Sequence, residues 1–370
     1  MLPFKAEFMA WSFWQIQELN KNYDLTIVGA GFTGLHTAIA FKRKYPKASV
    51  LIVDQGLGVN AASNRNAGFA CFGSPTELLA NYQHLGRDAA LTMAQKRREG
   101  IEFLAHTYGK ACDYVPVTSH ELFLDAKHDF EHVVSELKLL NADLKSVGFA
   151  TETFKPSLNA QLEINQIEIC GEGQLNPAKL HNALLDNCRA VGIQFCNAKF
   201  IDHQLLQDDI AVELEGGMII KTTALVLATN GFSNTTNIKP ARAQVLITEP
   251  IYNLQLEGNY HFDKGYYYLR NVGDRVLFGG GRNLDFETET TTDLSLNEFI
   301  QSHLENLLRN KLLQNVPFQI AHKWAGIMGI RQDGTPKVEV LGNHIFRIEG
   351  MSGMGVALSP VLAQELVELL

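Results

Sequence analysis

A chain of 370 residues, 46% hydrophobic and 19% charged, has room for about two globular domains and a core that needs no covalent staples. Its formal net charge of −8 argues against a nucleic-acid or anionic-membrane surface, and no block of Lys or Arg overturns this. The five cysteines, Cys71, Cys112, Cys170, Cys188 and Cys196, are scattered without a CxxC pair, which disfavours a disulfide framework or zinc site and fits a reducing, cytoplasmic setting.

Residues 1–22 read as a surface segment held to the body by Trp11, Phe13 and Trp14. The apolar stretch from Phe8 to Trp14 is too short for a bilayer and lacks signal-peptide flanks, so no transmembrane segment is expected. Asp24 to Val28 is a short apolar run followed at once by glycines, as in a buried parallel strand. Residues 33–44 carry helical periodicity that Pro46 ends, and Val50 to Val53 is the next strand. Strand, helix and strand within about thirty residues make a βαβ unit.

Residues 85–108 and 129–146 are amphipathic and helical. Asn176-Pro177 opens a helix that runs to Ala190, with Gly192 beyond its end. Ala211 to Glu215 and Met218 to Lys221 form a hairpin about Gly216-Gly217, and Leu225 to Leu227 is another strand. From Ala243 to Arg282 the chain is β-branched and aromatic, which indicates an antiparallel sheet. A helix over 295–312, a strand from Ile345 to Ile348 and a helix after Gly355 complete the chain. Nucleotide-type elements at both ends with a sheet between them point to a discontinuous arrangement. The expected nucleotide-binding domain comprises 23–80, 160–235 and 320–370, and the inserted substrate domain 81–159 and 236–319.

The strand-to-helix turn reads Gly29-Ala30-Gly31-Phe32-Thr33-Gly34, a G-x-G-x-x-G. Gly29 allows the tight turn, Gly31 lets backbone approach a pyrophosphate, and Gly34 lets helix and strand pack closely. The helix start at Phe32 and Thr33 then offers unpaired N–H groups to phosphate. Asp54, followed by Gln55, ends the second strand where an acid accepts hydrogen bonds from a ribose diol. Nicotinamide and flavin dinucleotides both fit this motif.

Three later segments carry more. Ala62-Ser63-Asn64-Arg65-Asn66-Ala67-Gly68 follows the acid, Ala228-Thr229-Asn230-Gly231 closes an apolar strand, and Gly350-Met351-Ser352-Gly353-Met354-Gly355 leads into the last helix. At these residues the chain resembles the D-amino-acid oxidase superfamily of FAD-dependent oxidoreductases. The likeness is to its glycine oxidase, sarcosine oxidase and γ-glutamylputrescine oxidase branch, and it spans nearly the whole chain. It implies a Rossmann-type FAD-binding domain of α/β type with an inserted antiparallel-sheet substrate domain, α/β plus α+β in all. The resemblance further implies that the 62–68 loop meets the pyrophosphate and flavin edge, that Lys199 or Phe200 meets adenine, and that 228–231 is a third contact. Gly326 and Gly329 are counted with these cofactor contacts, as are Gly353, Met354, Gly355 and Val356. The glycines bring a helix N-terminus against the flavin, where its dipole favours the negative charge of the reduced ring. With no cysteine after Cys196, the C-terminal cysteinyl link of some relatives is excluded and non-covalent FAD is expected.

The resemblance implies oxidation of a C–N bond in an amine or amino acid, with O2 or an electron carrier as acceptor. On a strand, Tyr266, Tyr268 and Arg270 project to one face and Tyr267 to the other. Tyr266 and Tyr268 are the expected substrate contacts, since a phenol with an arginine can hold a carboxylate. Glycine oxidase carries its carboxylate-binding arginine directly after a Trp-Ala-Gly-Leu stretch. Here Trp324-Ala325-Gly326-Ile327 leads to Met328, and Arg331 is the nearest candidate. Sarcosine oxidase would place an oxygen-activating lysine near Leu277. These departures leave a flavin-binding protein with lost or different catalysis as the alternative. No histidine shows metal spacing or is expected to have a chemical role.

Overall fold

The computed structural model describes residues 11–124, 127–233 and 235–370. The N-terminal stretch through Ala10 lies outside the described residues. A seven-residue helix, Phe13–Leu19, follows a capping box formed by Ser12 and Gln15. Its anchors differ from those expected. Trp11 donates its indole N–H to the Glu215 carbonyl at 2.9 Å and packs inward with Ile16, whereas Phe13 and Trp14 are 61% and 73% exposed. The helix turns Ile16 and Leu19 inward, so adjacent aromatics cannot all share its buried face.

Two sheets form the body. The first runs in the order 337–342, 345–349, 218–227, 22–28, 50–54, 194–197. The five strands from 345–349 to 194–197 are parallel, joined by register pairs such as Val28 to Leu227 and Val28 to Val53. Alternation along these strands sets two buried faces. Leu25, Ile27, Val50, Ile52 and Val226 face the helices Phe32–Lys44, Pro177–Ala190 and Gly355–Leu369. Val28, Leu51, Val53 and Leu225 face the hairpin of 200–205 and 210–214 and the N-terminal helix. The expected 218–221 and 225–227 strands are one strand, Met218–Leu227, antiparallel to 210–214 at its start and parallel to 345–349 at its end.

The second sheet runs in the order 320–331, 238–248, 275–280, 267–272, 259–262, 115–122, 164–174, 69–70, with 154–159 also on 164–174. All its pairs are antiparallel except 259–262 with 115–122. One face buries Leu246, Phe262, Tyr267, Leu269 and Phe278 against Ile300 and Leu304 of the helix Glu298–Leu307. That helix continues as a π turn, Leu308–Leu312. The strands Ile164–Gln174 and Ile320–Arg331, expected with the nucleotide-binding portion, lie in this second sheet, because their long antiparallel partners are 115–122 and 238–248. Conversely, the helix Arg87–Tyr108, expected with the insertion, packs on the C-terminal helix. A Cβ on Gly100 would fall on the Ala357 carbonyl, so only glycine permits this approach. No helix among the described residues is long and apolar enough to cross a membrane.

Candidate active site

The first strand ends at Val28, and the chain turns through Gly29 at φ +114°, where a Cβ would stand 2.5 Å from the Ala228 carbonyl oxygen. Phe32–Lys44 then starts with no side-chain cap from Gly31, so its first amides face outward. The Phe32 N–H is met by the Ser63 hydroxyl at 2.8 Å, which leaves the hydroxyl hydrogen for a further acceptor. Asp54 accepts from the Ala30 N–H at 2.8 Å through one oxygen, and from Gly56 and Gly58 at 2.8 and 3.0 Å through the other. The acid therefore fixes the glycine turn and its own following loop.

These groups open onto a cavity of about 1190 Å³, beyond the roughly 300–1000 Å³ of pockets that take a drug-sized ligand. Its lining includes Gly29, Gly31, Phe32, Thr33, Asp54 and Gln55 from the βαβ unit. From the following loop come Ala62, Ser63, Arg65, Asn66 and Ala67, and at the far side of the first sheet Lys199, Phe200, Ala228, Thr229 and Asn230. Gly326, Gly353, Met354, Gly355 and Val356 continue it past the N-terminus of the C-terminal helix. That helix has no side-chain cap, so its leading amides are available to an acceptor in the cavity.

Four expected cofactor contacts are not in the lining: Gly34, Gly68, Gly231 and Gly329. Each is a glycine for packing. A Cβ on Gly34 would fall on the Gly29 carbonyl, and one on Gly68 would fall on the Leu175 carbonyl. Gly231 and Gly329 lie against one another's turns: a Cβ would stand 2.6 Å from the Met328 oxygen in the first and 2.6 Å from Asn230 Oδ1 in the second.

The second sheet closes the cavity with its other face. Strand alternation turns Tyr268 toward the cavity and Tyr267 toward the helix side, where its ring stacks 4.7 Å from Phe262. Tyr268 stands edge-on to Phe69 at 5.8 Å, and burial pushes its phenol pKa well up. Tyr266 lines the rim and is 39% exposed. Arg270, on the same face, is committed elsewhere: it donates to Gln174 Oε1 at 2.9 Å and to the Leu175 carbonyl at 3.0 Å. Burial brings its pKa down to about 10.

Arg331 does not reach the cavity. Its guanidinium is 4% exposed and paired with Asp333 at 2.9 Å and Glu339 at 3.0 Å, and its stem packs over Gly350. Met328 and Ile330 of the strand Ile320–Arg331 line the cavity, and alternation turns Arg331, one residue on, to the opposite face. Leu277 is buried against Ala67 and Val245 and brings no charge near the site.

Two histidines in the site carry no sequence signal. His181, on the helix Pro177–Ala190, meets the Ala30 carbonyl through Nε2 at 2.7 Å and underpins the glycine turn. His261 pairs across the sheet with Tyr268, lines the cavity, and is held neutral by burial, which lowers its pKa. The Ala30 partner of His181 and the Phe69 ring edge-on to His261 lie in segments remote in sequence, so spacing could not reveal them.

The residues present fit a flavin dinucleotide: glycine backbone and a helix N-terminus for the pyrophosphate, an acid at the second strand, and a second helix N-terminus where the ring would lie. Comparison with known proteins agrees. Residues 24–369 match the family described as DAO, FAD dependent oxidoreductase. The chain is 22% identical over 376 aligned residues to the probable oxidoreductase OrdL of Haemophilus influenzae, covering 93% of this chain and 82% of that one. Glycine oxidase from Geobacillus kaustophilus superposes with a TM-score of 0.74 at 19% identity, covering 94% of this chain and 95% of that one. L-proline dehydrogenase from P. horikoshii superposes with a TM-score of 0.71 at 16% identity, covering 94% and 93%. The chain belongs to the DAO family of FAD-dependent oxidoreductases.

Proposed function

We propose that the chain oxidises the C–N bond of a small amine or amino acid, using FAD held without a covalent bond. The observation that carries this reading is one continuous cavity. It runs from the dinucleotide turn, past the N-terminus of Gly355–Leu369, to a wall made by His261, Tyr266 and Tyr268. Bound FAD supplies the two-electron acceptor for the hydride leaving the substrate carbon. The nitrogen lone pair closes the C=N bond, and water then converts the imine to a carbonyl compound and a free amine.

The chain's own residues hold and orient the reactants. Gly29, Gly31 and Ser63 cradle phosphate, and the leading amides of the C-terminal helix stabilise negative charge at the cavity's centre. His261, neutral and facing the cavity, can exchange a hydrogen bond with the substrate amine, which must be unprotonated to react. Phe69 and Tyr268 form an apolar wall that limits water. Cys71 also lines the cavity, but burial raises its thiol pKa well above the ordinary range, which supports the non-covalent reading.

The test is anaerobic titration of the yellow protein with a panel of amines and amino acids, with carbonyl product measured after reoxidation. Bleaching by one class of compound, with matching product, is expected. Stoichiometric FAD that no compound bleaches favours a flavin-binding protein that has lost this catalysis. Reoxidation by O2, compared with an artificial carrier, separates oxidase from dehydrogenase. Acid precipitation should leave the flavin colour in the supernatant, and colour in the pellet overturns non-covalent attachment.

A further inference from the structure

Four acids line the cavity, and they are not equivalent. Asp54 is filled by three backbone N–H groups at the dinucleotide turn, and Asp202 lies on the 200–205 strand beside Phe200. Asp293 is held by the Ser295 hydroxyl at 2.7 Å. Glu77 shares a wall with His261, whose pKa its charge draws upward against the larger effect of burial.

The Glu77 carboxylate is fixed from two sides. The helix Pro75–Leu85 starts with a capping box in which Glu77 Oε2 accepts the Ser74 N–H at 2.9 Å. Ser74 is itself fully buried and donates its hydroxyl to Glu121 Oε1 at 2.8 Å. On the other side Gly265, at φ +81°, lies against the carboxylate, and a Cβ there would stand 3.2 Å from Glu77 Cδ. Glu77 Oε1 accepts no hydrogen bond among the described residues, and no lysine or arginine among them forms an ion pair with the group.

The surrounding charges come from several elements. Glu121 and Glu172 stand on the strands 115–122 and 164–174, where burial raises both to about 7. Burial likewise keeps the Cys71 thiol and the Tyr268 phenol protonated. Arg97, on the helix Arg87–Tyr108, donates to the Phe72 carbonyl at 3.0 Å. Lys264, beside Gly265, lines the cavity but is exposed, as is Lys199 near Phe200. Neither lysine has a partner among the described residues. The half-buried wall at Glu77 therefore presents a fixed carboxylate with one oxygen unfilled.

Oxidation of a C–N bond creates charge of both signs. The C–H bond breaks with its electron pair passing to FAD, and the nitrogen lone pair closes C=N. The nitrogen becomes positive, and no proton moves in that step. The leading amides of Gly355–Leu369 favour the negative charge. A preorganised carboxylate on another wall of the same cavity favours the positive one, and more strongly in the cationic product than in the neutral amine.

We propose that Glu77 is the electrostatic partner of the substrate nitrogen, its carboxylate stabilising the positive charge that appears there as the hydride leaves. This rests on the oxidoreductase reading above. Glu77→Gln keeps the shape of the side chain and an oxygen for the Ser74 N–H while removing the charge. Anaerobic flavin reduction is followed across neutral to alkaline pH, in both FAD-loaded proteins, with the compound that bleaches the native one. The limiting rate at high pH is expected to fall about a hundredfold in Glu77→Gln at unchanged flavin content. The carboxylate also favours the unreactive ammonium form of bound substrate, so its removal shifts the rise in rate about one unit toward lower pH. Calorimetry on the oxidised holoprotein gives a readout independent of turnover, with benzamidine as a planar C=N cation and benzamide as its neutral counterpart. The native protein is expected to bind benzamidine about tenfold tighter than benzamide, and Glu77→Gln to lose that preference. No preference for benzamidine in the native protein, or one that survives in the variant, overturns the proposal and leaves the oxidoreductase reading standing. An unchanged limiting rate, or a lower one with an unmoved pH profile, does the same. If no compound bleaches the flavin while the benzamidine preference still depends on Glu77, the cation site stands and the oxidoreductase reading fails.

Discussion

The Ser63 hydroxyl accepts the Phe32 N–H at 2.8 Å, joining the 62–65 turn to the first amide of the Rossmann helix across 31 residues of sequence. Both residues line the cavity where a pyrophosphate would lie. The serine thus caps one helix amide while keeping its own hydrogen for an anion. Ser63→Ala removes both bonds. FAD affinity should fall by about threefold to tenfold per hydrogen bond lost, measured by the fluorescence of released flavin. An unchanged Kd would mean the hydroxyl serves only the protein.

Gly34 tests the packing half of the same motif. A Cβ there would fall on the Gly29 carbonyl, which is backbone and cannot swing aside. Gly34→Ala should therefore cost on the order of 3 kcal/mol, at the upper end of overpacking, and lower the flavin content of purified protein. Urea unfolding of the apoprotein reads the first effect, and the absorbance ratio of flavin to protein reads the second. A variant with native midpoint and full flavin would show that the helix can slide on the strand.

The βαβ unit was legible because its causes are local: an apolar run, glycines at fixed spacing and an acid one strand away. The same held for Asn176, whose side chain caps Pro177–Ala190 through the Lys179 N–H at 3.1 Å. Alternation also placed Tyr267 and Tyr268 on opposite faces. What the sequence hid depends on partners far along the chain. Residues 320–331 are grouped with the nucleotide-binding portion by their place in the chain, yet they form a strand whose ladder is with Ile238–Thr248. Arg331 carries a free-looking charge until Glu339, on the next strand, is brought within 3.0 Å. Phe13 and Trp14 look like anchors by residue type, but helix phase gives the inward face to Ile16 and Leu19.

Arg331 gives a sharp contrast with a substrate residue. Its guanidinium joins Asp333 and Glu339, and Asp333 is held well below the ordinary carboxylate range by that arginine. Arg331→Met leaves a half-buried Glu339 with only the more distant Arg347, at 3.7 Å, and should cost about 1–3 kcal/mol of stability. The concentration of amino acid that half-reduces the flavin, normalised to bound FAD, should not change. A selective rise in that concentration at native stability would return Arg331 to the substrate site.

His36 makes the folded chain acid-sensitive in a defined window. The ring is buried in the Rossmann helix, edge-on to Phe103 and Tyr108 at 6.0 Å each, and its Nε2 has no partner among the described residues. Burial, with Arg43 adding to it, lowers its pKa from 6.5 to about 3. The folded chain excludes a proton that the unfolded chain binds below 6.5, so the stability linked to neutral His36 is complete above that pH. It is lost as pH falls toward about 3. At about 1.4 kcal/mol per pH unit, lowering the pH from 6.5 to 5 should remove about 2 kcal/mol. His36→Leu removes this titration while keeping an apolar side chain between the two rings. The difference in unfolding free energy between variant and native protein should therefore move in the variant's favour by about that amount over the same interval. Parallel stability curves from pH 6.5 to 5 would show that the imidazole already finds a proton acceptor in the folded chain.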